Sequence, residues 1–241
     1  MKKIIIAILI YVISNSADAQ SFAAYEKITD TDFKDFVSLF EKRNLPISTD
    51  DLLENSPWLL QRSQNAKIAE IEKGLLDKFL LIPGKGKFIF RINDIVSEDG
   101  KMIEDFGKLY PLYRLPTNGD YVILVIAQIS RDSPEFNKVF AYSFNLEANP
   151  IYSIINLFYG SGPFIYGEIT QEFNTITKYA FGDNNGVKTA VPNSGKFKGI
   201  VEEEMYELTS NGKRTLIEQN NVPAIIEYDF EENRYKVKEY L

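Results

Sequence analysis

Carboxylates carry most of the chemistry that this sequence offers, because the chain contains neither histidine nor cysteine. A histidine general base, a thiol nucleophile and the usual zinc sites are therefore excluded. The stretch VEEEMYE at 201–207 contains four glutamates, and strand rise would place Glu202 and Glu204 on one face about 6.6 Å apart. That spacing suits the paired carboxylates of glycoside hydrolases. The alternative is a row of charges that protects an edge strand from aggregation.

Two other motifs contain residue types that bind phosphate or metal. GKGK at 84–87 has Leu81 where a P-loop has its first glycine, and Phe88 where a P-loop has Ser or Thr. We therefore interpret GKGK as a connection between a helix and a strand. DNNG at 183–186 lies in a polar loop without the alternating oxygen ligands of an EF-hand, so a turn is expected there. The sequence predicts no metal site and no cofactor.

Aromatic residues are concentrated in the middle of the chain. Residues 140–181 contain eleven aromatic side chains in 42 positions, about twice the average for the chain. Aromatic side chains line many ligand sites, and glycines allow a ligand to approach the backbone closely. The candidate ligand-binding residues are Tyr159, Tyr166, Gly160 and Gly162. The alternative is that these aromatics form a core face and that the glycines shape an ordinary hairpin loop.

Helical periodicity is confined to the first part of the chain. Apolar residues at i, i+3, i+4 and i+7 predict an amphipathic helix over 29–43, and similar spacing predicts a second helix over 64–80. From residue 84 onward, short alternating apolar runs follow one another through tight turns, without helix-length patterns between them. These features indicate antiparallel strands rather than parallel βαβ units.

Asn-Gly pairs and one continuous apolar run give the most specific strand predictions. Asn118-Gly119 and Asn211-Gly212 each stand between two apolar runs and predict hairpins. YVILVIA at 121–127 is apolar on both faces, which is typical of a central strand. The predicted fold class is α+β, with N-terminal helices packed on a largely antiparallel meandering β-sheet. We expect a single α+β unit over 20–241, mainly helical over 20–83 and mainly β over 84–241.

The first twenty residues have the pattern of a secretory signal. Lys2 and Lys3 precede an apolar run of about ten residues, and Ala17-Asp18-Ala19 matches a small-x-small cleavage site. We expect a signal peptide over 1–19 that is cleaved near Ala19, which would make the protein periplasmic or secreted. After cleavage no transmembrane segment is expected, since no later apolar run approaches the length that spans a bilayer.

The charge balance limits the kinds of partner. The net charge is −7 and the sequence pI is about 4.9. Nucleic acids and anionic membrane surfaces bind basic patches, so an acidic chain argues against both. The expected partner is a saccharide or another protein, and a basic protein would match the acidity.

Short phrases along the chain resemble a group of exported proteins. The signal ends in ADAQ, the first predicted helix closes at NLPI, and the last part contains hairpins of the YELTSNGK type. In these features the chain resembles secreted, functionally uncharacterised envelope proteins of Gram-negative bacteria, which implies an immunity or interaction role.

The leading hypothesis is an exported, soluble, non-enzymatic protein that binds a ligand or another protein. One alternative is a carbohydrate-active hydrolase or lyase with paired carboxylates. A second alternative is an immunity-like partner of a basic toxin.

Overall fold

A computed structural model gives the fold of part of the chain. It describes residues 21–60, 68–82, 87–88, 95–96, 102–103, 108–130, 137–160, 162–191, 195–232 and 234–241. The predicted signal peptide over 1–19 lies outside the described residues. Among the described residues, no helix is long and apolar enough to cross a membrane.

The described helices are short and lie between residues 23 and 79. They are α1 (Ala23–Glu26), α2 (Thr31–Ser38), α3 (Thr49–Asn55) and α4 (Lys73–Phe79), with a 3-10 turn at Pro57–Leu60. The side chain of Asp30 caps α2 by accepting a hydrogen bond from Phe33 N at 2.8 Å, and Ser48 caps α3 in the same way. The helix α3 was not predicted from the sequence.

Both predicted helices are longer than the observed ones. The helix predicted over 29–43 ends at Ser38 and is followed by a short strand at Glu41–Lys42. Of the helix predicted over 64–80, residues 64–67 lie outside the described residues and 68–72 are not helical. The N–H of Ile71 donates to Leu109 O at 2.8 Å, so this backbone pairs with the sheet instead of continuing a helix.

Strands make up most of the described chain. They are β1 (Glu41–Lys42), β2 (Ile47–Ser48), β3 (Leu81–Ile82), β4 (Lys87–Phe88), β5 (Ile95–Val96), β6 (Met102–Ile103), β7 (Lys108–Leu115), β8 (Val122–Ile129), β9 (Lys138–Phe144), β10 (Pro150–Tyr159), β11 (Phe164–Ile169), β12 (Asn174–Asn184), β13 (Val187–Thr189), β14 (Lys196–Leu208), β15 (Arg214–Asp229) and β16 (Arg234–Tyr240). The protein is mostly β, with antiparallel sheets and a few helices. A single α+β unit over 20–241 stays a prediction.

The strands form two main sheets where the sequence predicted one. Sheet A has the order β1-β7-β8-β9-β10, and sheet B has the order β16-β15-β14-β12-β11-β2 with β13 beside β12. All pairs in these sheets are antiparallel except β1 with β7. The hairpins predicted at Asn118-Gly119 and Asn211-Gly212 are confirmed, as they connect β7 to β8 and β14 to β15.

Strand β8 separates two hydrophobic cores. Each of its residues is buried, which confirms the prediction of a central strand. Ile123 and Val125 face one core with α3 and β10, whereas Leu124 and Ile126 face the other with α2 and α4. This alternation follows from the period of two in a strand. Both faces of sheet A are therefore covered along β8.

Aromatic side chains attach the helices to sheet A. Phe33 lies 5.9 Å from Phe144 of β9, and Phe36 stacks on Phe79 of α4 at 4.9 Å, both measured between ring centroids. Tyr25 of α1 places its hydroxyl in the sheet, where it donates to Leu115 O at 2.8 Å and accepts from Ile123 N at 3.1 Å. Helices α1, α2 and α4 are thus packed on one face of sheet A.

The turn between β14 and β15 rests on sheet A. A Cβ atom added to Gly119 would lie 2.0 Å from Ser210 O, so the two Asn-Gly turns meet at a distance that only glycine allows. Ser143 donates to Gly212 O at 2.7 Å, and Arg214 donates to Ile154 O at 3.0 Å. The two sheets are joined here by turn residues and by hydrogen bonds.

Sheet B is curled, because β16 at one end of the sheet lies against β11 near the other end. Arg234 Nη1 of β16 donates to Ile165 O of β11 at 3.1 Å. Five strands contribute to one small core inside the curl, formed by Ile165, Ala180, Val201, Ala224, Ile226 and Tyr235. The curled sheet therefore has a concave face, and the rest of that face is available to polar side chains.

The GKGK stretch does not connect a helix directly to a strand. Leu81 pairs with Phe88 and Ile82 pairs with Lys87, so the stretch lies between two short antiparallel strands. That part of the prediction is wrong, since β3 intervenes after α4. A P-loop runs from a strand into a helix, whereas here a strand follows. Residues 83–86 themselves lie outside the described residues.

Candidate functional site

The concave face of sheet B contains an open pocket of about 540 Å³. Its wall comes from β11, β12, β14 and β16, with one residue from α3. The lining residues are Asp50, Ile165, Tyr166, Glu168, Ile176, Lys178, Glu203, Arg234, Lys236, Val237 and Tyr240. This volume lies within the range of small-molecule sites, and the lining mixes apolar, aromatic and charged groups. We call this site the concave pocket.

A lysine between two tyrosines lies in the concave pocket. Lys178 Nζ is 5.9 Å from the ring centroid of Tyr166 and 5.9 Å from that of Tyr240. The same ammonium is 2.6 Å from Glu203 Oε2 on the neighbouring strand. Burial lowers the pKa of Lys178, but the hydrogen bond and charge of Glu203 outweigh this and raise the pKa above its ordinary value. The ammonium of Lys178 therefore remains charged at neutral pH.

Arg234 lies at the rim of the concave pocket and connects neighbouring elements by hydrogen bonds. Its side chain is 7% exposed, and its donors reach three elements of the fold. Nε donates to Glu232 Oε2 at 2.8 Å, Nη1 to Ile165 O, and Nη2 to Asp50 Oδ1 of α3 at 2.6 Å. The planar guanidinium suits several fixed acceptors at once, so Arg234 ties β16 to β11 and α3.

A second ion-pair group lies beside this rim. Lys236 Nζ is 2.7 Å from Glu232 Oε1 and 2.9 Å from Asp229 Oδ2. The hydrogen bond from Lys236 lowers the pKa of Asp229. Burial raises the pKa of Glu232. Hydrogen bonds from Lys236 and Arg234 lower it by more, so the pKa of Glu232 is below its ordinary value. These carboxylates are therefore fixed in their ionised form, each facing a cation.

Tyr166 has a hydroxyl that stays protonated. Burial raises its pKa to about 12, and its hydrogen bond to Glu168 contributes in the same direction. The Oη atom donates to Glu168 Oε2 at 2.9 Å. The ring of Tyr166 is half-buried, so one wall of the concave pocket is an aromatic surface with a polar tip.

The structure separates the four aromatic-region candidates. Tyr166 lines the concave pocket. Tyr159 ends β10 in sheet A, where Lys138 Nζ lies 4.4 Å from its ring centroid. Gly160 is buried with its N–H donating to Asn137 O at 3.0 Å, and Gly162 is exposed with φ of 74°. Gly160 and Gly162 lie in the connection between β10 and β11, and neither they nor Tyr159 line the concave pocket.

Glu202 and Glu204 lie on the other face of β14. Glu203 points into the concave pocket, so its two neighbours point away from it. Glu202 forms an ion pair with Lys188, and Glu204 accepts from Tyr206 Oη at 3.1 Å. The alternative interpretation as an edge guard is wrong, because β14 pairs with β12 on one side and β15 on the other.

Sequence reasoning missed most of the residues in the concave pocket. Among them are Lys178, Arg234, Lys236 and Tyr240, and a bulge at Lys238 breaks the period of two in β16, so simple alternation does not predict which of its residues share a face. No local pattern indicates that β16 folds back against β11, and that contact brings the strands together. In the part of the chain that the structure describes, no group of three acidic side chains could hold a metal ion.

Comparisons with known proteins give no relationship. No protein-family model, no curated protein and no solved structure matches this chain.

Proposed function

We propose that this protein is an exported, non-enzymatic binding protein that holds a neutral saccharide in the concave pocket. The observation that carries the proposal is the pair of tyrosines, Tyr166 and Tyr240, on either side of the Lys178–Glu203 ion pair. Export is the expectation from the signal pattern at 1–19.

Two properties of the concave pocket favour an uncharged ligand with many hydroxyls. Tyrosine rings offer flat apolar surfaces that a sugar ring can cover. The three cations in the lining, Lys178, Arg234 and Lys236, each already face a carboxylate. A charged ligand would have to break one of these pairs, whereas a hydroxyl can donate to the carboxylate and accept from the cation.

The first experiment is a search for ligands. The purified chain is applied to an array of neutral and anionic oligosaccharides, and each hit is measured by isothermal titration calorimetry. We expect neutral oligosaccharides to bind and anionic ones not to bind. Binding that is restricted to anionic oligosaccharides, or that is absent from the whole array, would contradict the proposal.

Substitutions locate the binding site. Tyr166→Ala and Tyr240→Ala should each weaken a hit at least about tenfold, equivalent to a loss of about 1.4 kcal/mol. Tyr159→Ala is the matched control, since it removes a half-buried tyrosine in sheet A and should leave the affinity unchanged. Equal weakening by all three variants would indicate a ligand site outside the concave pocket.

The same hits decide between binding and hydrolysis. Glu168, Glu203 and Asp50 all line the concave pocket, so carboxylates would face a bound sugar. Incubation of each hit with the protein, followed by measurement of new reducing ends, tests the hydrolase alternative. We expect no release. Release that Glu203→Gln or Glu168→Gln abolishes, with binding intact, would replace the binding proposal by a carbohydrate-active enzyme.

A further inference from the structure

Strand β15 is longer than the strand that covers its outer side. Its pairing with β16 ends at Ala224, which lies opposite Tyr240, and Leu241 N donates to Pro223 O at 2.9 Å. Within the described chain, no strand pairs with the outer side of residues 214–222. At about 3.4 Å per residue this free edge is about 30 Å long.

The hydrogen bonds at both ends of the hairpin show which backbone groups point outward. Pro223 O points to β16, so Asn221 and Gln219, two and four residues earlier, also direct N–H and C=O outward. The bulge between Glu218 and Leu216 interrupts this alternation. Leu208 N points to the other side of β14, towards Phe173 O, which is consistent with the same assignment.

The free edge has little of the protection that is usual in exposed strands. Residues 215–222 read TLIEQNNV and contain no lysine and no proline. Leu216 is 48% exposed and Ile217 is 54% exposed. Apart from the bulge at Ile217 and the charge of Glu218, none of the usual devices against strand pairing is present in this segment. Such an edge is a template for an added strand.

The charges around the free edge indicate the chemistry of that strand. Glu218 is exposed and is the single charged residue in 215–222, while Arg214 at the start of the edge directs its guanidinium to Ile154 O of sheet A. On the neighbouring strand β14, Glu207 lies on the same face as Glu218, and Glu204 lies opposite Gln219 on the other face. Among the described residues these three carboxylates form no ion pair with lysine or arginine. A basic strand would be attracted to this edge, and a second copy of an acidic chain would not gain this attraction.

We propose that the free edge of β15 binds an extended basic segment of a partner protein as an additional antiparallel strand. Backbone hydrogen bonds to Gln219 and Asn221 would hold the segment, and alternate lysine or arginine side chains would lie opposite Glu218. This surface is separate from the concave pocket and does not depend on saccharide binding.

The test uses a defined probe. A fluorescent peptide of alternating lysine and threonine, about as long as the edge, is titrated with the full chain and followed by anisotropy. The same peptide with glutamate in place of lysine is the charge control. We expect the lysine peptide to bind and its affinity to fall as salt is added, while the glutamate peptide does not bind.

Three variants locate the binding. Gln219→Pro removes an outward N–H and should abolish binding, whereas Gln219→Ala keeps that N–H and should bind like the original chain. Glu218→Lys should weaken the lysine peptide about tenfold and allow the glutamate peptide to bind, since the cross-strand charge is reversed. The Glu218→Lys result decides the matter if Gln219→Pro does not fold.

The following results would overturn the proposal. No binding of the lysine peptide at low salt would do so, and so would binding that both Gln219→Pro and Glu218→Lys leave unchanged. A dimer in light scattering that Gln219→Pro dissociates, without peptide binding, would assign the edge to self-association instead. Tyr166→Ala should leave peptide binding unchanged, so failure at this edge and failure of the concave pocket are distinguishable.

Discussion

Sheets A and B are built from similar hairpins but use their surfaces in opposite ways. In β8 of sheet A every residue is buried, because α1, α2 and α4 cover one face, and α3 together with Ile169 and Leu208 of sheet B covers the other. In β15 of sheet B the residues from 215 to 221 are all exposed. A strand that is buried on both faces has no surface that a ligand could reach. A curled sheet with charged side chains on its concave face does have such a surface. Buried strand surface is thus concentrated in sheet A, and exposed strand surface in sheet B.

The largest expected effect is the removal of a large side chain under the helices. Phe144 is fully buried in β9, and its ring centroid lies 5.9 Å from that of Phe33. Phe144→Ala should lower the free energy of unfolding by about 3–5 kcal/mol, because it removes apolar contacts and leaves a cavity. Urea denaturation followed by circular dichroism measures this change.

Phe230→Ala in sheet B is the matched control for Phe144→Ala. Phe230 is 72% exposed at the β15–β16 turn, and its loss should change stability by less than about 0.5 kcal/mol. Equal losses for the two variants would mean that the contrast between the sheets does not reflect how stability is distributed.

The next effect tests how the two sheets are joined. Gly119→Ala would place a Cβ atom 2.0 Å from Ser210 O, so one of the two turns must move. We expect a loss of about 1–3 kcal/mol, typical of overpacking. Gly74→Ala is the control, since nothing lies within 4 Å of a Cβ there and alanine favours a helix by about 1 kcal/mol. Thermal unfolding of both variants gives the comparison, and a neutral Gly119→Ala would contradict the close contact.

These two turns show what could and could not be predicted from the sequence. Asn118-Gly119 and Asn211-Gly212 predicted their hairpins correctly, because turn chemistry is local. Gly212 has φ of 77°, which is the usual reason for a glycine in such a turn. Gly119 has a different reason, the contact with Ser210 about ninety residues away, and no local pattern contains that information.

The same limit applies to the candidate site. Tyr166 was recognised as an aromatic next to glycine, and it does line the concave pocket. Its neighbours Lys178, Glu203 and Tyr240 come from three other strands, and their proximity depends on the curl of sheet B. Charge density and the strand spacing of about 6.6 Å predicted Glu202 and Glu204 as a pair on one face, but the face that lines the pocket is the one that carries Glu203.

A smaller effect tests the rim that keeps sheet B curled. Arg234→Lys keeps the positive charge but loses the planar fork that reaches Ile165 O and Asp50. We expect a loss of about 1–2 kcal/mol in stability, since a lysine cannot replace several fixed hydrogen bonds. Lys238→Arg is the control, because that lysine is exposed and pairs with Glu227. Chemical denaturation that ranks the two variants equally would contradict the role of Arg234.

The smallest effect is a pH dependence that belongs to sheet B. The pKa values of Asp229 and Glu232 are lowered in the folded protein, by the hydrogen bond of Lys236 on Asp229 and by those of Lys236 and Arg234 on Glu232. A carboxyl whose folded pKa is lowered stabilises the fold above its unfolded pKa, and this contribution is lost as the pH falls through the folded pKa. The ordinary values are 3.8 and 4.5, so the loss should begin below about pH 5.

The variant Lys236→Met tests the origin of this pH dependence. Without the ammonium, the folded pKa of Asp229 should return towards 3.8, so the variant should lose less stability than the original chain between about pH 5 and about pH 3. The difference is small, because these carboxyls are partly exposed and solvent screens the pair. Phe230→Ala, at the same turn, keeps the ion pairs and should retain the original acid slope. Since the cause lies in one hairpin of sheet B, identical slopes in all three proteins would show that acid sensitivity arises elsewhere in the chain.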